Sequence, residues 1–427
     1  MIRNAAAHLV FNQPKRTHVT SLFISLHWLP VSAHIKFKAL MLTYKTLSVD
    51  TSDTVKTKLA TCSMHRKPRC ERKRGQERCG AEAKPGESVP CGTCTTMCPI
   101  SEVRRRETQR RLHCFEMERG TEKERVPCAD LSRTVKEYSR PAAGKDSTRA
   151  CDLRPPDVLF KTVCYLVDEI AASPTLHPWT EVYSFVFDRL RSVRQDMIIQ
   201  RVSGWECVAV LERTVRFHLY ASYRLCGEPL RLYDPHINDI HLQECLSWLL
   251  ECYSEGQYEH QAEFQALSLL YNLGSTRTLQ RALELPERVR LSPPVQLALA
   301  VNRAYTELNP VRLLRLAQKL DFIQACALHR HLLSCRRDLL LLYSHGHNSR
   351  NCRFPIQKLA DVLSLDCSLA GQLCQAHGIQ VSGDCVVFSK ASFSESPCKE
   401  LQCAQMHKLV DDKQHNLSVG SIIHGIA

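Results

Sequence analysis

No window of this sequence reaches the roughly 18 uninterrupted apolar residues that a bilayer-crossing helix needs. The nearest approach, residues 332–343, is broken by Arg336, Arg337 and Asp338, so no membrane association is expected. The first residues lack a basic stretch leading into an apolar run and a small-residue cleavage site, so secretion is not expected either. Glycine is sparse, 16 in 427 residues, and none of it forms a phosphate-cradling loop. His-Glu-x-x-His, a nucleophile elbow and paired Asp-rich metal motifs are also missing. A nucleotide-binding α/β sheet therefore has little support, and the expectation is a non-enzyme without a cofactor.

What is present belongs to an ordinary globular chain, 44% apolar and 24% charged, long enough for two or three domains. Most of the 22 cysteines stand singly. Cys164, Cys207, Cys245 and Cys326 fall inside helical patterns and read as small apolar core residues of a reducing compartment. The net charge of +13 is uneven, because residues 155–398 carry nearly balanced charge. Any attraction to nucleic acid must come from local patches or from the N-terminal arm.

Composition divides the chain into zones. Residues 51–90 are polar and basic, with Arg66-Lys67-Pro68-Arg69 and Arg72-Lys73-Arg74; they read as a disordered linker or as a nuclear-import patch. Residues 91–154 hold a compact opening motif, a charged helix and a polar loop. From 155 to 353 helix dominates. Leu159, Val163, Leu166 and Ile170 recur at three- and four-residue steps, as do Val182, Val186, Leu190, Val193 and Met197. Further periodic stretches cover 206–225, 239–253, 261–273, 295–307, 311–320 and 322–343. Ser292 before Pro293 and Asn309 before Pro310 predict capped helix starts. Short links between amphipathic helices predict stacked helical hairpins, an α-solenoid. Residues 354–393 differ: helices over 355–363 and 367–377, Gly378 as a C-terminal cap, then a hairpin formed by 379–381 and 385–388 around Ser382-Gly383-Asp384. That is the layout of a winged helix. Residues 394–427 are expected as a tail.

Few residues are placed for chemistry. Cys91, Cys94 and Cys98 give one zinc knuckle and a spare thiol, but Cys62, Cys70 and Cys79 lie too far apart for a second, so they are weak metal candidates. His329 and His331 point to different helix faces, and His345 and His347 are expected in a polar loop. Arg104, Arg105, Arg106, Arg110 and Arg111 could grip phosphates or an acidic partner. Glu102 and Arg106, four apart, could instead pair along their helix. Arg350, Arg353, Lys358 and Lys390 surround the winged helix as candidate nucleic-acid or partner contacts.

Two strings carry resemblances. SLFISLHWLPVSAHIKFKALMLTYKTL at 21–47 resembles the closing segment of non-LTR retrotransposon reverse transcriptases, which implies that residues 1–50 are a fusion or a gene-model artefact without assigned function. GTCTTMCPISEVRRRETQRRLHCFE at 92–116 resembles the signature of the Sac-three/GANP family, through Gly92, Thr93, Cys94, Met97, Cys98, Pro99, Glu102, Arg106 and Glu107. VKEYSR at 135–140, LRPPDVL at 153–159, FDRLRSVRQD at 187–196, ERTVRFHLYASYRLC at 212–226, YDPHINDIHLQECLSWLLECY at 233–253 and AEFQALSLLYNL at 262–273 follow in family order. Val103 stands where the family pattern has arginine, with Arg104 directly after it.

The resemblance implies a helical body with a terminal winged helix of the PCI type. Larger members are scaffolds of the transcription-export complex for messenger RNA, where this domain pairs with a second PCI subunit and a small acidic protein and contacts nucleic acid. This chain resembles the compact vertebrate branch, without the phenylalanine-repeat region. That branch implies a scaffold in centrosome duplication, spindle assembly and mitotic progression, located at centrosome, spindle and nucleus, with centrosomal or spindle partners. RNA binding in an export complex is the alternative.

Overall fold

The computed structural model describes residues 89–140, 149–173, 177–349, 351–396, 408–414 and 417–426. The retrotransposon-like segment, almost all of the basic linker and Arg350 lie outside the described residues.

The architecture is mainly helical. Helix α1 (Ile100–Thr108) and a 3-10 turn at Cys114–Glu116 belong to the opening segment. The body follows with α2 (Pro156–Tyr165), α3 (Trp179–Ile199), α4 (Trp205–Arg224), α5 (Pro235–Cys252) and α6 (Gln261–Tyr271). Two short helices, α7 (Thr276–Leu283) and α8 (Glu287–Arg290), lead to α9 (Pro293–Thr306), α10 (Pro310–Ala317) and α11 (Phe322–Gly346). The packing runs α4 on α5, α5 on α6, α6 on α9, α9 on α10 and α10 on α11, the neighbour-to-neighbour stacking of a helical solenoid. Helix α2 does not simply stop. Its apolar spacing runs on through a π-helical stretch, Leu166–Ala171, with Leu166, Val167, Ile170 and Ala171 buried.

Helix α4 is central, touching α2, α3, α5 and α11. Fourteen of its residues are buried, on all sides, so its polar members need partners inside. Arg216 binds Glu263 of α6 at 2.6 Å. Glu212 accepts the Tyr253 hydroxyl at 2.7 Å. His218 Nδ1 lies 2.8 Å from Asn238 Oδ1 of α5. Cys207, Cys245 and Cys326 are core residues as expected, while Cys164 is only half-buried.

Of the two capped starts expected ahead of a proline, one forms. Asn309 accepts the Arg312 N–H ahead of Pro310, and Asp321 forms a capping box with Gln324 on α11. Ser292 does not cap α9; its hydroxyl is turned back instead and donates to the Val289 carbonyl at 2.5 Å. His345 falls inside the last turn of α11 rather than in a loop, beside the Leu341 carbonyl. His347 joins an aromatic group with Tyr343, Phe354 and Phe388.

The chain then forms β1 (Phe354–Pro355), α12 (Ile356–Leu363), α13 (Cys367–Ala376), β2 (Gln380–Ser382) and β3 (Cys385–Val387). The sheet is antiparallel with order β1-β3-β2, and Val386 pairs with Phe354 on one side and Val381 on the other. The helices and the hairpin match the sequence reading; β1 is an addition. Gly378 has φ +74°, and a Cβ there would meet the Ser392 carbonyl oxygen at 2.3 Å, so the cap requires glycine. Past the hairpin, where the sequence offers only a tail, α14 (Lys408–Asp411) packs on α11 and α15 (Val419–His424) on α4.

Arg336 of α11 joins the body to this last unit. Its buried guanidinium donates to the Leu363 carbonyl at 2.9 Å and the Ser364 carbonyl at 3.2 Å, at the left-handed C-terminus of α12. Burial pushes its pKa down to about 10. Arg336→Met, which keeps most of the stem, leaves these carbonyls without that donor and should cost about 3 kcal/mol, read as a lowered urea midpoint with unchanged helical circular dichroism.

Candidate functional site

The signature segment folds as a clamp against α3. Gly92 comes so close to the next strand of chain that a Cβ would lie 2.5 Å from the Leu153 carbonyl oxygen. Its N–H donates to Gln200 Oε1 at 2.8 Å, while Thr93 and Cys94 donate to the carbonyls of Ala150 and Leu153. Helix α1 begins after Pro99 and turns Glu102, Val103 and Arg106 inward, the one-face spacing of three and four residues. Glu102 and Arg106 lie 3.6 Å apart, so the pairing reading holds for these two.

Glu116 is the hub. It is fully buried and takes both nitrogens of the Arg106 fork, at 2.8 and 3.2 Å. Arg189 Nη2 of α3 reaches it at 3.0 Å, and the N–H of Val135 donates to it at 3.0 Å. Arg106 also donates to the Val135 carbonyl at 3.1 Å. Burial alone would raise the Glu116 pKa, but Arg189 and Arg106 outweigh it and hold the carboxyl below its ordinary range. A second tie lies alongside. Asp196 binds Arg154 at 2.8 Å and Lys136 at 2.7 Å, and Arg154 also donates to Ser192 at 2.9 Å.

The other signature residues serve the same clamp. The Met97 carbonyl accepts the N–H of Lys136 at 3.0 Å. Glu107 accepts the N–H of Ala129 at 2.8 Å. The three candidate zinc thiols have separate partners. Cys91 is exposed; Cys94 donates to the Thr96 carbonyl at 3.2 Å; Cys98 accepts from Arg106 at 3.6 Å, and burial pushes its pKa up to about 12. Val103 is buried while Arg104 is exposed, so Arg104 does not take over that inward position. Arg104, Arg105 and Arg110 face solvent, and Arg111 pairs with Glu137 at 2.5 Å. Arg353, Lys358 and Lys390 are exposed around the small sheet.

Sequence reasoning missed Glu116, Arg189, Arg154, Asp196 and Lys136 as a network. A signal existed: each falls inside one of the strings quoted above, at 92–116, 135–140, 153–159 and 187–196. The strings are joined in space by these ion pairs.

A surface feature of the body lies among α9, α10 and α11. A largely apolar cavity of about 520 Å³ is lined by Tyr305, Leu308, Leu313, Leu341 and Leu342 among others. Leu308 and Leu342 are exposed at its rim.

A clamped N-terminal segment, a helical solenoid and a closing helix–helix–sheet unit define the class of protein. The chain belongs to the SAC3/GANP family, whose model matches residues 97–383, from the signature into the hairpin turn. It is similar to SAC3 family protein 1 of Schizosaccharomyces pombe, 28% identical over 363 residues, 78% of this chain and 35% of that protein. Protein xmas of Drosophila melanogaster is 27% identical over 351 residues, 78% of this chain and 16% of its own length. SAC3 family protein B of Arabidopsis thaliana is 26% identical over 313 residues, 69% and 18% respectively. The chain thus spans about a third or less of the curated relatives it matches.

Removing one partner of a buried ion pair costs about 3–5 kcal/mol. Glu116→Gln should lower the unfolding free energy by about that amount at neutral pH, measured in urea. Because the folded carboxyl titrates below its unfolded value, its contribution is fully present above the ordinary glutamate range. It is lost as pH falls through the folded pKa. The urea midpoints of wild type and variant should therefore converge in acid.

Proposed function

We propose that this protein is a non-enzymatic scaffold of the SAC3/GANP family acting in centrosome duplication, spindle assembly and mitotic progression. The observation that carries the scaffold reading is the fate of the signature's charged groups. Glu102, Arg106 and Glu116 are buried in ion pairs that fix one chain segment against another, which is the work of architecture rather than of a reacting site. The helix–helix–sheet unit serves as a PCI-type winged helix. Its sheet order leaves β2 at an edge, where a second PCI-type subunit can dock. A small acidic protein and centrosomal or spindle proteins complete the partner set. The centrosomal assignment rests on the resemblance to the compact branch of the family. The tagged protein should concentrate at spindle poles through mitosis, and its depletion should alter centrosome number; uniform distribution with normal centrosomes would overturn the assignment.

A second reading is supported by the solvent-facing Arg104, Arg105 and Arg110 and by Arg353, Lys358 and Lys390: an RNA-binding subunit of a nuclear messenger-RNA export complex. Single-stranded RNA binding should then weaken with salt by about 0.7 log-log units per neutralised phosphate. Reversing Arg104, Arg105 and Arg110 to glutamate should reduce that slope by about 2 units. An unchanged slope removes α1 from the RNA contact.

A further inference from the structure

Beside the clamp, a thiol, an imidazole and a carboxylate converge where no tie between segments requires that mixture. His113 and Cys114 lie at the start of the 3-10 turn, and Glu181 lies in the first turn of α3. The Cys114 sulfur is 3.4 Å from Glu181 Oε1 and 3.5 Å from His113 Nδ1. The three donor atoms lie within 4.8 Å of one another, the one such grouping of His, Cys and acidic side chains among the described residues. His177 Nδ1 holds the other oxygen of Glu181 at 2.9 Å. Phe115 walls the group, its ring 4.6 Å from that of His113 and 5.0 Å from that of His177.

We propose that His113, Cys114 and Glu181 bind a thiophilic divalent cation of the zinc class, with His177 orienting the carboxylate through its other oxygen. The donor set is what such an ion selects, one sulfur, one imidazole nitrogen and one carboxylate oxygen. The spacing fits as well. Bonds of about 2.0–2.3 Å in a tetrahedron place ligand atoms roughly 3.3–3.6 Å apart, and the two sulfur separations fall in that interval. Without metal the thiol donates to the carboxylate, a poor hydrogen bond in which sulfur is the donor. The cation takes the place of that proton, which leaves to solvent, and binds thiolate and carboxylate together. His113 ligates through Nδ1, giving up a weak contact with the Phe115 N–H at 3.3 Å. A water completes the tetrahedron. The ion would pin the 3-10 turn to α3 two residues before Glu116, and so reinforce the clamp from outside.

The test uses the full chain, purified metal-free and titrated with cobalt(II) and then zinc(II). Cobalt should bind one equivalent with a thiolate-to-cobalt charge-transfer band that zinc displaces, and zinc should raise the thermal midpoint. Cys114→Ser should abolish the band, and Glu181→Gln should weaken binding at least about tenfold. Cys91→Ser and Cys128→Ser, both at exposed thiols, should change neither. Circular dichroism checks that each variant is folded, and should Cys114→Ser fail to fold, Glu181→Gln carries the test. An intact band in Cys114→Ser, no band in the wild type, or unchanged affinity in Glu181→Gln would overturn the proposal.

Discussion

The carboxylate of Glu116 sits between two guanidiniums, and the placement of α1 and the segment around Val135 against α3 depends on it. An anion taken fully out of water is tolerable only when its charge and lone pairs are met. Arg106 supplies two bonds from ten residues back, and Arg189 supplies one from α3, 73 residues on. Because the attraction offsets a large desolvation cost, its net contribution to stability is smaller than the cost of disrupting it. Its stronger effect is on register. Any arrangement that slides α1 relative to α3 strands a buried charge, so one arrangement is left. Asp196 repeats the device with Arg154 and Lys136, and together the two hubs bind three separate strings of sequence to α3.

The same physics recurs along the body. Among the described residues, the largest fully buried side chains are Arg106, Arg154, Arg216 and Arg336, and each crosses a boundary between elements. The first two hold the opening segment, Arg216 links α4 to α6, and Arg336 ties α11 to the end of α12. A solenoid buries apolar surface well between neighbours but specifies their sliding poorly, since one apolar stripe fits another at several registers. A guanidinium with a fixed fork of donors supplies the missing specification. Part of the arginine content of this protein is thus an internal fastening system.

How much of this was legible in the sequence divides along physical lines. The body helices were legible because burial on one face leaves a three-to-four-residue period, as Val182 to Met197 displays. Helices α12 and α13, Gly378 and the hairpin were legible from turn chemistry. Strand β1 was not: it is two residues long and contains Pro355, which an edge position tolerates but no propensity favours. The π-helical turn at Leu166–Ala171 was hidden because its apolar residues keep helical spacing. At the clamp, the local pair Glu102–Arg106 could be read from its four-residue separation. Glu116 with Arg189 could not, since contacts across 73 residues have no period. The motif strings held these residues without saying which faced which.

That distinction bears on the basic run at 104–111, where one stretch of sequence serves two environments. Arg106 belongs to the core and Arg111 to a surface pair with Glu137. Arg104 and Arg105 lie outside because the helical period turns them away from the face that Glu102, Val103 and Arg106 bury. An arginine buried at 103 would have needed a further carboxylate or carbonyl partner. Valine needs none and fills the space with a methyl-branched side chain instead. Valine at this position therefore keeps the polar demand of the core low while the outward charge of α1 stays in solvent. Two environments are separated on one helix by its periodicity: positions 102, 103 and 106 build the clamp, while 104 and 105 face solvent, with Arg110 exposed just beyond the helix end.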